Sequence, residues 1–258
     1  QVGKVYHLDL DKNSVQGAEI ALLPGDPGRS PLIAGAIAEA YKTRSSTVAS
    51  KREFTTCLAE VMGKKILVTS TGIGGPSTSI AVDELAQLGV KTFIRVGTTG
   101  AIQERINNGD CVITTAAVRL DGASRHYAPI EYPAVASFEV VSALISGAKE
   151  ARVNFHSGIT ASSDTFYPGE ERTDSFMEYK LRTLRGATQE WRALNVLNYE
   201  MEAATLLTMT SAFGLRGGCV TGVVNRGSTG SITAESLKAG EKSAIATIVA
   251  ALRFLVQN

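Results

Sequence analysis

Residues Ser162–Arg172 read SSDTFYPGEER. They bring an aromatic pair (Phe166, Tyr167), a rigid Pro168-Gly169 turn, two carboxylates (Glu170, Glu171) and a guanidinium (Arg172) to the end of an apolar, strand-like run. A flat heterocycle needs such a kit: a π-face to stack on, and fixed donors and acceptors along one edge.

Four further clusters could do chemistry. Pro24–Arg29 (PGDPGR) follows an apolar strand and precedes a helix-like stretch. Glycine there lets backbone N–H groups approach an oxyanion, and Arg29 would add a bidentate charge; the same residues also fit a plain βα turn with a surface arginine. In Arg95–Gly100 (RVGTTG) an arginine interrupts the apolar run TFIRVG just ahead of Thr98 and Thr99. Buried charge is costly unless paired, so either an internal salt bridge or an anion at the strand's carboxyl end, where open α/β sheets bind ligands, must compensate it. Lys51-Arg52-Glu53-Phe54 is a basic pair heading a strand, and by itself reads as a solvated edge. Asn198–Ala203 (NYEMEA) sets Glu200 and Glu202 where a strand gives way to a helix over 203–213. Carboxylates at that junction either complement the helix N-terminus or accept from the paired hydroxyls of a sugar.

The elements that must position these groups are legible as β-branched runs at 20–23, 66–71, 92–97, 111–118, 156–161, 196–199 and 219–225, each ending in Gly or another small residue. Helical patterns lie between several of them. One spans 76–88, with Pro near its start, Ala81, Leu85 and Leu88 on one face and Gly89 as a stop; another spans 234–256, with Ile245, Ile248, Val249, Leu252 and Val256 on one face. The alternation predicts an α/β fold with a largely parallel or mixed sheet flanked by helices. No repeat, Pro-rich linker or charge block divides the chain, so 1–258 reads as a single domain.

Composition narrows the function. With 26 basic against 25 acidic side chains the formal charge is +1 and no basic stripe stands out, which argues against a nucleic-acid partner. Three cysteines (Cys57, Cys111, Cys219), odd in number and each inside an apolar run, read as buried thiols of a reducing, cytoplasmic compartment. No apolar run approaches the length of a membrane span, and QVGKVYHLDL lacks a secretion signal's apolar core; the absent initiator Met reads as trimming or a partial chain. TGIGGPS (Thr71–Ser77) ends in Ser where a dinucleotide fingerprint needs Gly, and neither a Walker loop nor a GxSxG elbow occurs. His7, His126 and His156 are isolated and give no zinc spacing; His156 reads as structural, and His7, near a mobile end, could serve a neighbouring subunit.

Taken together, PGDPGR, REFTT, STGIGGPSTSIAVDELAQLG, RVGTTGAIQ, VRLDGAS, SSDTFYPGEER and NYEMEAATLL resemble the hexameric nucleoside phosphorylase family, and within it the branch that cleaves uridine. The likeness runs from His7 to about Asn225. It implies a single domain with a mixed, partly barrel-like central sheet, and phosphorolysis, in which inorganic phosphate attacks C1′ of a pyrimidine nucleoside. Carried over motif by motif, Gly25, Arg29, Arg95 and Thr98 would hold phosphate, with Arg52 reaching in from a paired subunit. Met201 and Glu202, joined by Glu200 and a neighbour's His7, would hold the ribose. Phe166, Glu170, Arg172 and Arg226 would hold the base, so that Arg95, Thr98, Arg172 and Glu202 form the catalytic set. No cofactor is implied beyond phosphate as co-substrate; a structural potassium ion between paired subunits at Glu53, Ile73 and Ser77, and a homohexamer built as a trimer of dimers, are.

The chain departs from that pattern at Glu170, where the uridine-cleaving branch carries glutamine. An amide donates to uracil O2 and accepts from N3–H, whereas an ionised carboxylate accepts only; the lost bond costs about 1–3 kcal/mol. A carboxyl that burial keeps protonated regains the donor. The segment after Gly222 is one residue shorter than the family's and leads into 227–233 (GSTGSIT), a loop expected near the base, while 30–50 is a few residues longer, expected as a surface change. Two readings therefore compete with uridine cleavage: a purine or broad-specificity phosphorylase or nucleosidase that tolerates Glu170, and a nucleoside-binding protein without turnover.

Overall fold

Every strand described in the computed structural model, which covers residues 3–227 and 230–257, joins one sheet. In chain order the strands are β1 (Ile20–Leu23), β2 (Ser46–Lys51), β3 (Phe54–Val61), β4 (Lys64–Thr69) and β5 (Thr92–Ala101). There follow β6 (Cys111–Leu120), β7 (Ala134–Val135), β8 (Phe155–Ser163), β9 (Asn198–Glu200) and β10 (Arg216–Arg226). The helices are α1 (Lys12–Val15), α2 (Arg29–Tyr41), α3 (Gly75–Gln87), α4 (Phe138–Glu150), α5 (Ala187–Ala193), α6 (Ala203–Ala212) and α7 (Ala234–Leu255). Pairings β5–β10, β10–β6, β6–β8, β8–β9 and β9–β5 close a mixed five-stranded barrel, and β1, β4, β3 and β2 extend from β5 as a wing. The mixed sheet is as the alternation of elements predicts, and its barrel-like closure is as the family resemblance implies.

β1 is apolar at every position because both of its faces are covered. Leu22, with Ile94 and Val96 of β5, packs against Ile33 and Ile37 of α2 and against α7 through Ile248 and Leu252. On the opposite face Leu23 and Phe93 meet Val82 and Leu85 of α3 and Leu206 of α6. Within 30–50, α2 belongs to the core, with Ile33 and Ile37 fully buried, while 42–50 lie mostly at the surface. Likewise Lys51 and Arg52 do not head a strand. Lys51 ends β2 and Arg52, at φ 54°, forms the turn into β3.

All three cysteines are free and buried, and burial raises the pKa of each. Among the described residues no helix is long and apolar enough to cross a membrane. Of the 227–233 loop, Ser228 and Thr229 lie outside the described residues.

Close backbone approach, rather than side-chain filling, joins α7 to the barrel. A Cβ on Gly222 of β10 would come 1.8 Å from the Gly240 carbonyl oxygen. Gly222→Ala should therefore push α7 outward and cost about 2–3 kcal/mol or more, lowering Tm by roughly 5 °C or more at this chain length. Thermal unfolding checks this, and an unchanged Tm would contradict it.

Candidate active site

The mouth of the barrel gathers side chains from distant parts of the chain. β5 supplies Arg95, Thr98 and Thr99, the loop after β8 supplies Phe166 and Glu170, and β9 with the turn into α6 supplies Tyr199, Glu200, Met201 and Glu202. Val224 and Asn225 of β10 and the rim residues Ile73 and Ile232 complete the wall. The space so lined holds about 160 Å³ and opens to solvent at its rim.

Arg95 is the electrostatic centre. Its Nε donates to Glu200 Oε2 at 2.7 Å, and Nη1 lies 3.4 Å from Glu202 Oε1. The guanidinium folds back along its own strand over Gly97, where a Cβ would come 2.5 Å from Nη2. The internal salt bridge is therefore present. Glu200, expected among sugar-binding groups, lines the cavity with both oxygens already engaged: they accept from Arg95 at 2.7 Å and from the Glu202 and Ala203 backbone N–H groups at 2.8–3.0 Å, capping α6. Glu202 is less fully compensated. Burial raises its pKa to about 7, with Arg95 opposing and Glu200 reinforcing the rise.

The PGDPGR turn abuts this group, since a Cβ on Gly25 would come 3.3 Å from Glu202 Oε1. Arg29 opens α2, is buried, and gives Nη2 to Glu241 Oε1 of α7 at 2.9 Å. It is thus neither the surface arginine of a plain turn nor part of the cavity wall. Its Nε is buried with no partner among the described residues. An orphaned guanidinium N–H at a helix N-terminus is a donor that an anion would satisfy.

The two adjacent carboxylates of SSDTFYPGEER part company. Glu170 is buried and faces the cavity with no hydrogen-bond partner among the described residues, and burial, reinforced by Glu200, raises its pKa to about 8 against the lowering effect of Arg172. Glu171 turns away and accepts from the Gly186 and Thr188 N–H groups at the start of α5. Phe166 lines the cavity; the Arg172 guanidinium stacks on its ring at 4.5 Å and pairs with Asp174 through Nε and Nη2 at 2.8 and 2.9 Å. Arg172 reaches Glu170, Tyr199 and Asn225 across a small adjoining crevice.

Other expected residues lie elsewhere. Arg226 is not brought to the cavity: it is exposed and donates to the Glu104 carbonyl, while Asn225, one residue earlier and hence on the other face of the strand, takes the lining position. Arg52 is exposed on its turn. His7 is not at a mobile end but fixed, its Nδ1 and backbone N–H both bound to Glu84, and His156 pairs with Asp110 at 2.9 Å. Glu53 and Ser77 do meet around Gly72, where a Cβ would come within 2.8 Å of Glu53 Cγ and 3.3 Å of Ser77 Oγ, and Ser77 donates to the Ile73 carbonyl. Carboxylate, carbonyl and hydroxyl oxygens form a hard donor set of the kind that suits an alkali or alkaline-earth cation. Sequence reading missed Tyr199 and Asn225 in the wall and Glu241 as the partner of Arg29. Tyr199 and Asn225 sat inside recognised motifs, whereas Glu241 gave no local signal.

Barrel and site together define an α/β protein with an anion-compensating, aromatic-walled pocket for a small organic ligand. Residues 19–255 match the profile described as the phosphorylase superfamily, and the chain belongs to that family. It is 54% identical to a uridine phosphorylase of Escherichia coli (strain K12), over 98% of each chain. A uridine phosphorylase of Thermococcus kodakarensis is 46% identical over 99% of this chain and 88% of its own, and a guanosine phosphorylase of Halorubrum lacusprofundi 36% over 85% and 82%.

The buried Glu170 has a consequence for stability. Its pKa in the folded chain lies above the ordinary value of 4.5, so between about pH 4.5 and 8 the unfolded chain releases a proton that the folded chain keeps, and stability falls as pH rises through that window. Every tenfold difference in proton affinity between the two states corresponds to about 1.4 kcal/mol. Glu170→Gln should thus raise Tm by about 4 °C or more at pH 8.5 and by much less at pH 5. Calorimetry at the two values tests it, and an equal effect at both would show that Glu170 is not held neutral.

Proposed function

We propose that this protein catalyses phosphorolysis of uridine by inorganic phosphate, giving uracil and ribose 1-phosphate in pyrimidine nucleoside salvage and catabolism. The observation that carries the reading is the convergence in one cavity of a guanidinium and a hydroxyl (Arg95, Thr98), a carboxylate acceptor (Glu202) and an aromatic wall (Phe166). The activities of the two uridine-cleaving relatives accord with it.

Cleaving an N-glycosidic bond develops positive charge on the sugar and negative charge on the departing base. A phosphate oxygen forms the new bond to C1′ while the electrons of the C1′–N1 bond leave with the base. The chain would place the anion beneath the sugar with Gly25, Arg29, Arg95 and Thr98, joined by the partner subunit's Arg52. Glu202 and Met201, with the partner subunit's His7, would hold the ribose, Glu202 accepting from hydroxyls. Phe166, Glu170 and Arg172 would face the base. No covalent nucleophile is needed; holding two reactants together lowers the barrier by several kcal/mol.

The reading includes one catalytic domain over 1–258 in a cytoplasmic homohexamer, a trimer of dimers that shares sites between paired subunits. Arg52 and His7 lie outside their own chain's cavity, while Ile73, 77% exposed, belongs both to the cavity rim and to an open groove with Pro76, Ile80 and Tyr127. That continuity is what a shared site would require. A potassium ion would sit at the same seam on Glu53, Ile73 and Ser77.

A purine-directed reading draws on Glu170, whose ionised form accepts two hydrogen bonds, and on the guanosine-cleaving relative. Incubation with uridine, thymidine, inosine, guanosine and adenosine, each with and without phosphate, decides between them. Uracil release that depends on phosphate is expected; its absence sinks the proposal, and preferred release of guanine or hypoxanthine transfers it to purines. In the same assay Thr98→Val should raise the phosphate KM about tenfold, the value of one lost hydrogen bond, and leave the uridine KM nearly unchanged.

A further inference from the structure

The cavity holds three buried carboxyl groups, Glu170, Glu200 and Glu202, against one lining guanidinium, Arg95. Arg95 and the α6 backbone engage Glu200, and Arg95 also approaches Glu202. Glu170 receives no hydrogen bond from a cation among the described residues: Arg172, on its own segment, tempers the rise of its pKa but gives Nε and Nη2 to Asp174. The groups facing it from neighbouring elements are Tyr199 and Glu200 of β9, Glu202 at the entry to α6, Thr188 of α5 and Asn225 of β10, none of them cationic. A third negative charge there has no hydrogen-bonded counter-ion among the described residues, whereas a neutral carboxyl is a compact unit with an O–H donor beside a C=O acceptor.

We propose that Glu170 works as a neutral carboxylic acid that reads the lactam edge of the base, its O–H donating to a ring carbonyl oxygen while its C=O accepts from the adjacent ring N–H. The inference rests on the nucleobase-cleaving reading above and deepens it. As the glycosidic bond breaks and negative charge spreads onto that carbonyl oxygen, the O–H···O bond strengthens, and this favours departure of the base. The proton stays shared along this bond and returns to Glu170 when the base takes its own from solvent. An ionised Glu170 would oppose the same oxygen with like charge.

The affinity for uridine should then require a protonated Glu170. With a pKa of about 8 the group is about nine-tenths protonated at pH 7 and about one-quarter at pH 8.5, so kcat/KM for uridine should fall about fourfold over that interval beyond any change seen in Glu170→Gln. Glu202, near 7, titrates in both proteins, so each pH is read as the difference between parent and variant. The direct measurement is calorimetric titration of the whole protein with uridine alone, in buffers of different ionisation enthalpy. At pH 8.5 the parent should take up most of one proton more than Glu170→Gln does, and at pH 6.5 the two should differ little. Binding at pH 8.5 without proton uptake, or coincident pH profiles of parent and variant, would overturn the proposal. If the parent releases no uracil with phosphate at any pH, the activity reading itself has failed. The parent's proton uptake remains readable if the variant does not fold.

Discussion

The charge on Arg95 must be compensated inside the barrel, and the architecture of the mouth follows from how this is done. A guanidinium buried in a central strand is sustained only by excellent geometry and full hydrogen bonding. Glu200 supplies both, and in accepting from the first N–H groups of α6 it ties β5, β9 and that helix to one point. Gly97 is part of the same solution, because only a residue without a side chain lets the guanidinium lie back along its strand. Once Arg95 and Glu200 are joined, Glu202 and Glu170 are left in a cavity with more acid than base. Their raised pKa values are the consequence of that imbalance and of burial.

An acid-rich pocket is an unexpected place to receive an anion, yet the surrounding backbone leans the other way. The N-terminal ends of α3 and α6 lie at this mouth, and the turn leading into α2 abuts it: Gly25 of that turn approaches Glu202, the Gly74 backbone hydrogen-bonds Glu202 ahead of α3, and Glu200 caps α6. Helix N-termini concentrate unsatisfied N–H groups and positive potential. The Nε of Arg29, without a partner among the described residues, adds a further donor. The carboxyls that hold a proton remove part of the opposing field.

Much of this was legible along the chain because the signals were local. β1 appears where four consecutive apolar residues require it, and α6 and α7 end within a residue of the periodic patterns that announced them. What was not legible depends on tertiary partners. β2 and β3 pair only because the turn at Arg52 folds one onto the other, and β2 is largely exposed, so its sequence lacks a buried face to betray it. Glu241 meets Arg29 across more than two hundred residues, a contact no spacing rule reaches. Arg226 went astray through period-2 alternation: one position decides which face of β10 a side chain occupies, and the register shift between Val223 and Asn225 falls just before it.

The separation of Glu170 from Glu171 shows how the backbone assigns chemistry to identical side chains. Glu171 adopts φ 50°, in the left-handed region, which turns the chain so that the two carboxyls diverge. The strain of that conformation is offset by two hydrogen bonds that the Glu171 carboxylate accepts from backbone N–H groups at the start of α5, and α5 in turn supplies Thr188, whose hydroxyl meets the Tyr199 hydroxyl at 2.9 Å in the crevice beside Glu170. An outward carboxylate therefore anchors the helix whose Thr188 lines the crevice beside the inward one. The surroundings of Glu170 thus depend on a neighbour that lines neither the cavity nor that crevice.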